Sequence, residues 1–423
     1  MQRRKVYLTG VGFISSIGNS RSAVLDSLKG LRHGFASYPP FENDPKADVK
    51  LVSAVKDFEL ESTDFEDWEL PPPYKIRREY LRGLPPHGVY VHCAMQQAIE
   101  DAQLSEEEYS NINTGIYTAS AGSPKSLYHN MNRMRQLGPM RCPPTGIVSS
   151  ISGTLSFNLV ASFKIQGSSC GFSSACASSG HAIGFAYDEI VLGRQERMFI
   201  AAGEDLNYES VLPFAGMRAL SLEGTPSRAS CPFDTKRNGF VSAGGGVVLV
   251  LESEEEMMRR GATPYAELMG WGQSSDGYNV AISHPEGVGL SRAMELAISS
   301  CGLVASDIDY LNAHATSTLI GDASEGKAIK EVFIDKGACP KVSSTKAITG
   351  HGLSLASALE AGIVGLSIAE GITPGSAHIN EVDPVFQGLD IIQKTENQAP
   401  KIAMSNSSGF GGANVSLIFK NPN

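Results

Sequence analysis

Cys176 stands in GFSSACASSGHAIGFA (171–186), with only Ser, Ala and Gly close to it. The residues after it have helical spacing through Ala182, Ile183, Ala186 and Ile190, which places Cys176 at a helix N-terminus. There the helix dipole and free amides favour a thiolate, the reactive form of cysteine. Small neighbours leave room for a carbonyl to approach. The competing reading is a structural cysteine, because free Cys is commonly buried. Two histidines keep similar company. LNAHATSTLIGDASE puts His314 just after a strand and before Thr316, Ser317 and Thr318, and SSTKAITGHGLS puts Lys346 and His351 around a turn between strand and helix. The loop SNSSGFGGANVSL (405–417) sets Gly409, Gly411 and Gly412 around Phe410. Such a loop can present backbone amides and move, or can be a plain hairpin turn. Cys176, His314, His351 and this loop are therefore the candidate site residues, each with a plain structural alternative. His181 lies about 140° around the helix from Cys176 and is not expected to face the sulfur. His33, His87, His92, His129, His284 and His378 have no supporting constellation.

Two other motifs compete. GSSCG (167–171) matches the G-x-S-x-G serine elbow, centred on Ser169. That would make the chain a serine hydrolase, but four residues intervene before helical spacing begins, and the elbow requires the helix at once. TGVGFIS (9–15) approaches a dinucleotide-binding G-x-G-x-x-G, with Ser15 in place of the third glycine and no clear ribose-binding acid.

These residues must be held by a large scaffold. A chain of 423 residues can form two domains or two similar halves around a sizeable core. Its formal charge of −10 argues against a general nucleic-acid binder, while leaving open a local basic patch for an acidic partner. The seven scattered cysteines contain no CxxC pair, against a disulfide framework or a structural zinc site, so no metal is expected. The N-terminus lacks the long apolar stretch of a signal peptide, and the uncharged run 142–163 is broken by Pro143 and Pro144, reading as a buried helix start rather than a membrane span. A cytoplasmic location is expected.

Strands are expected at 5–12 (ending in a glycine turn), 114–120, 197–203, 239–252, 309–315, 341–345, 401–407 and 414–420. Helices are expected after a Ser20 cap, at 89–102 and at 353–370, the last with Leu355, Leu359, Gly362 and Leu366 on one side. Residues 34–73 read as a polar, proline-rich surface excursion. Alternation of strands and helices points to an α/β fold with covered sheets. The division between halves is expected at 256/257, giving residues 1–256 with the cysteine and 257–423 with both histidines.

Taken in order, SSACASSGHAIG, CPFDTKRNGFV, NAHATSTLIGDASE, SSTKAITGHG and NSSGFGGAN resemble the β-ketoacyl-acyl carrier protein synthases, the condensing enzymes of fatty acid and polyketide synthesis. The resemblance is to the Cys-His-His branch and covers nearly the whole chain. It implies a thiolase-like fold, two similar α/β halves in αβαβα layers, and a homodimer or a heterodimer with a related subunit. It implies no cofactor beyond the phosphopantetheine that carries substrates on acyl carrier protein. It assigns Cys176 as nucleophile, His314 and His351 as donors to an enolate oxygen, and Lys346, paired with Glu360, as the cation that keeps them neutral. Phe410 corresponds to a gate whose amide, with that of Cys176, forms an oxyanion hole between Gly409 and Gly411. Phe240 corresponds to a residue near the departing CO2, and Thr316 and Thr318 to positions that hold the phosphopantetheine arm. The acidic carrier would land on Lys75, Arg77, Arg78, Arg82, Lys125, Arg133 and Arg135. A non-catalytic partner subunit, which normally lacks the cysteine, is the remaining alternative. Ala315, Leu319, Ser408, Ala413 and the run SLAS (354–357) depart from the family pattern, which implies an unusual acyl substrate.

Overall fold

The structure is a computed structural model and describes residues 4–422. The strands of the first half are β1 (Val6–Ser15), β2 (Thr114–Ala119), β3 (Ser169–Phe172), β4 (Arg197–Glu204) and β5 (Gly245–Ser253). Those of the second half are β6 (Ala266–Ser275), β7 (Tyr310–Asn312), β8 (Lys341–Ser343), β9 (Asp390–Ile391), β10 (Ile402–Gly409) and β11 (Ala413–Lys420). Together they form one sheet in the order β9-β8-β7-β10-β11-β6-β1-β5-β4-β2-β3.

That order contains one topology twice. In β3-β2-β4-β5-β1, β2 runs parallel to β3 and β4, and β5 runs antiparallel to β4 and β1. In β8-β7-β10-β11-β6, β7 runs parallel to β8 and β10, and β11 runs antiparallel to β10 and β6. The copies join where Val6–Leu8 of β1 pairs with Ala266–Leu268 of β6.

Six helices build the layers: α1 (Pro86–Asp101), α2 (Thr154–Phe163), α3 (Ser178–Val191), α4 (Val288–Ser300), α5 (Leu319–Val332) and α6 (Ala356–Ala369). α1 and α2 bury Val91, Met95 and Leu155 against Phe199 and Val250 on one outer face. α4 and α5 bury Met294 and Ile329 against Leu311 and Ile418 on the other. α3 and α6 lie between the halves, where Ile183, Ala186 and Ile363 pack with Leu249 and Leu417. The arrangement is therefore αβαβα. It explains why β5, buried along its whole length, reads GGVVLVLES: a strand covered on both faces needs apolar residues at every position. α6 is likewise buried from Ala356 through Ile368, not along one side as expected, because it is enclosed on all sides.

Other expectations also change. β1 continues through both glycines to Ser15, with no turn at 9–12; a Cβ at Gly12 would lie 1.9 Å from the Ala94 carbonyl oxygen, so glycine serves the close approach of α1. That removes the dinucleotide reading. The strand expected from 239 begins only at Gly245. Residues 34–73 are not a solvated excursion: Tyr38, Phe41, Val49 and Val52 are buried with Phe240, and Leu51 with Val241. Apolar residues spaced between prolines and acids escaped a reading based on average polarity. Ser20 does cap a helix, accepting from the Ala23 amide. Position 256 falls in the short helix Glu254–Arg259 that connects β5 to β6. Among the described residues, no helix is long and apolar enough to cross a membrane.

Candidate active site

Every site element sits where a strand ends beside the central helices. Cys176 occupies the turn that leads into α3, just after Ala175, whose φ is +50°. The cysteine residue is 8% exposed. His314 follows β7, and His351 follows β8 by way of the one-turn helix Lys346–Thr349. Phe410 follows β10 and begins the turn into β11.

These separate elements bring their side chains together. The Nε2 of His351 lies 3.0 Å from the Sγ of Cys176. The rings of His314 and His351 are 5.3 Å apart and nearly perpendicular, and Phe240 meets His351 edge-on at 5.2 Å. Cys176, both histidines, Phe240, Thr316, Thr318, Gly409 and Phe410 line one cavity of about 580 Å³. Thr316 and Thr318 share a hydroxyl hydrogen bond of 3.1 Å. Phe410, 38% exposed, leans on Phe214 at 6.1 Å. A Cβ at Gly409 would lie 2.8 Å from the Ser174 carbonyl oxygen and 3.0 Å from the Cys176 nitrogen, so the Phe410 loop crosses directly over the nucleophile's amide. Gly411, at φ +77°, donates its amide to the Val280 carbonyl at 2.8 Å.

Lys346 and Glu360 lie beneath the cavity, paired and buried. Burial, and then the Lys346 charge, hold both imidazoles well below their usual range, so each is neutral near pH 7. Burial pushes the Glu360 carboxyl up to about 7, against the pull of Lys346. The nucleophile differs from expectation. Burial pushes the Cys176 thiol up to about 12, and Lys346 only partly offsets it. Loss of water outweighs the pull of Lys346, and the resting group is a thiol.

Glu325 was not singled out in the sequence. It lies on α5, buried, and accepts the amides of His314 at 2.9 Å and Ala315 at 2.7 Å and the Asn406 side-chain amide at 3.2 Å, bracing the loop that carries His314. Its signal was available: Asp322 and Glu325 are three apart, placing two acids on one face of the helix, beside the apolar Ala328, Ile329 and Val332.

The expected carrier-docking residues lie elsewhere. Arg82, Lys125 and Arg133 line a second groove with Trp68 and Pro86. Arg77 pairs with Glu79, Arg78 with Glu66, and Lys125 with Glu61. Lys75 and Arg135 are exposed. None of the seven lines the Cys176 cavity. Ser169 opens β3, while α3 begins only at Ser178, so the strand-to-helix elbow of a serine hydrolase is not formed. His181 bonds the Ser174 hydroxyl at 2.8 Å and does not reach the sulfur. His87, without a constellation in the sequence, bonds Asp205 at 2.8 Å and Ser120 at 2.9 Å in a fully buried cluster. Among the described residues no two cysteines form a disulfide.

Known proteins share this arrangement at the level of the whole chain. Residues 3–257 match the model of the Beta-ketoacyl synthase N-terminal domain, and residues 265–380 that of the C-terminal domain. The 3-oxoacyl-[acyl-carrier-protein] synthase 1 of Haemophilus influenzae is 38% identical, the match covering 99% of this chain and 100% of that protein. A crystal structure of a beta-ketoacyl synthase from Burkholderia phymatum superposes with a TM-score of 0.90 at 29% identity, covering 99% of this chain and 100% of that one. The ishigamide ketosynthase/chain length factor gives 0.87 at 26% identity, covering 100% of both chains. With both domain models matched in sequence order and full-length relatives above 30% identity, the chain belongs to the beta-ketoacyl synthase family.

Proposed function

We propose that this protein is an acyltransferase that joins a Cys176-bound acyl group to malonyl-acyl carrier protein by decarboxylative Claisen condensation. The observation that carries the reading is the convergence of Cys176, His314 and His351 on one cavity.

In the first step the Cys176 sulfur attacks the carrier thioester. A new S–C bond forms, the carrier S–C bond breaks, and the thiol proton ends on the departing carrier sulfur. His351, 3.0 Å from Sγ, lies closest to that proton's path. The amides of Cys176 and Phe410 receive the charge on the acyl oxygen. In the second step the malonyl C–C bond breaks and CO2 leaves. The electron pair becomes an enolate, which attacks the acyl carbon and expels the Cys176 sulfur, which regains a proton. Neutral His314 and His351 donate N–H bonds to the enolate oxygen. Burial, and then the charge of Lys346 held by Glu360, keeps them unprotonated. Phe240, packed on His351, shapes the space for CO2, and Thr316 and Thr318 hold the phosphopantetheine arm.

The substrates arrive on an acidic carrier that lands on Lys75, Arg77, Arg78, Arg82, Lys125, Arg133 and Arg135. No cofactor beyond the carrier's phosphopantetheine is used. The protein works in the cytoplasm, as a dimer with itself or a related subunit, and its halves divide at 256/257. Leu319 and Ser408, both departures from the family pattern, line the cavity, and the acyl chain it takes is one other than a plain saturated chain. Purified protein given a panel of acyl-carriers with malonyl-carrier tests the reading by mass spectrometry. β-Ketoacyl-carrier and CO2 are expected; hydrolysis of the acyl-carrier without condensation would overturn it.

A further inference from the structure

The spacing of Cys176 and His351 depends on how the two central helices are fixed to one another. α3 follows the cysteine and α6 follows the histidine. The His351 ring is not anchored through its second nitrogen, because the buried Nδ1 has no hydrogen-bond partner. Upstream, its backbone is clamped: the His351 amide donates to the Val241 carbonyl at 2.8 Å, and the Ala243 amide donates to the His351 carbonyl at 3.0 Å.

Downstream, the anchoring passes to two serines. Ser354 donates its hydroxyl, and its amide at 3.3 Å, to Glu204 at the end of β4. Ser357 donates its hydroxyl to the carbonyl of Cys176 itself at 3.3 Å, and shares a 2.7 Å hydrogen bond with the Ser407 hydroxyl on β10. In return, the Ala358 amide donates to the Ser179 hydroxyl on α3 at 3.0 Å. A Cβ on Gly180 would stand 3.1 Å from the Ser357 hydroxyl oxygen, so the helices touch at this point. Ser354, Ser357, Glu204, Ser407 and Ser179 are all buried, and neither Ser354 nor Ser357 lines the cavity.

We propose that Ser354 and Ser357 are positioning residues whose hydroxyls hold the His351 imidazole against the Cys176 sulfur. This rests on the acyl-transfer reading above. The Ser357 hydroxyl satisfies the buried Cys176 carbonyl, and the Ser354 hydroxyl adds to the amide that already reaches Glu204; their loss frees α6 to shift against α3. Displacement of a reacting group by about 1 Å costs on the order of a hundredfold in rate.

The test compares wild type, Ser354→Ala, Ser357→Ala, the double variant and Glu204→Gln, whose amide oxygen still accepts from Ser354. Three quantities are read: kcat and KM for condensation, melting temperature, and the rate at which iodoacetamide labels Cys176, followed on its peptide. The double variant is expected to lose about tenfold to a hundredfold in kcat with KM within about twofold. Its Cys176 labelling should slow to a similar degree, labelling of exposed Cys339 should be unaffected, and Glu204→Gln should behave as wild type. A folded double variant with kcat and labelling both within about twofold of wild type would overturn the proposal. If the double variant fails to fold, the single variants carry the same comparison. Wild-type protein that does not condense at all would sink the functional reading instead, while the labelling rates still judge the serines.

Discussion

The Nε2 of His351 lies 3.0 Å from the Sγ of Cys176, although 175 positions separate the two residues. One comes from each topological copy, so neither half alone contains the pair. The contact joins a thiol pushed up to about 12 with an imidazole held well below its usual range. Both partners are therefore neutral at rest.

Labelling of Cys176 follows from that resting state. A thiol at about 12 carries little thiolate at neutral pH. Its alkylation rate should rise about tenfold per pH unit from pH 7 to pH 10 without a plateau. A plateau below pH 8 at Cys176 would mean that the helix terminus prevails over burial.

The histidines should matter separately. An oxyanion donor is worth about 3–4 kcal/mol, so His314→Ala and His351→Ala should each lower kcat by about a hundred- to a thousandfold. Both folded-state pKa values lie below the ordinary 6.5, so the unfolded chain takes up protons first as pH falls. The stability tied to the neutral rings is present above pH 6.5 and is lost below it. Wild-type melting temperature should fall with pH in that range, and the fall should be shallower in the His314→Gln/His351→Gln double variant. Equal slopes would show that the rings do not titrate as described.

How much of this was legible in the sequence depends on the range of each interaction. Cys176, His314, His351 and Phe410 could be read because each lies in a short, unusual string whose local structure follows from that string. The repeated sheet topology was visible only as alternating strands and helices, since strand order depends on pairings such as Val6 with Leu268. The thiol's high pKa was not legible: it comes from burial between elements distant in the chain. Ser354 and Ser357 were noticed only as departures from a family pattern, because their partners, Glu204 and Cys176, lie 150 and 181 positions away. The His87–Asp205 contact, 118 positions apart, escaped for the same reason.

The gate loop should tolerate little added volume. Gly409→Ala places a methyl 2.8 Å from the Ser174 carbonyl and 3.0 Å from the Cys176 nitrogen. The loop must then shift, carrying the Phe410 amide with it, and kcat should fall by about a hundredfold with a smaller change in KM. Steady-state kinetics separate the two; a change confined to KM would place the loop in binding alone.

Carrier recognition should be electrostatic. Arg77 and Arg78 are exposed and pair with the exposed acids Glu79 and Glu66. Arg77→Glu/Arg78→Glu should raise KM for the acyl-carrier several-fold at low ionic strength, with the effect fading as salt approaches roughly 0.5 M. Kinetics unchanged at low salt would move the landing site elsewhere.

The account stands on where the acyl group goes. Wild-type protein and the Cys176→Ala, His314→Ala and His351→Ala variants, each incubated with acyl-carrier alone, can be digested and their peptides weighed. The acyl mass should sit on the peptide holding Cys176 and vanish in Cys176→Ala. It should persist in His314→Ala, which then fails to condense with malonyl-carrier. Acyl mass on the peptide at Ser169, or on none, would contradict the account.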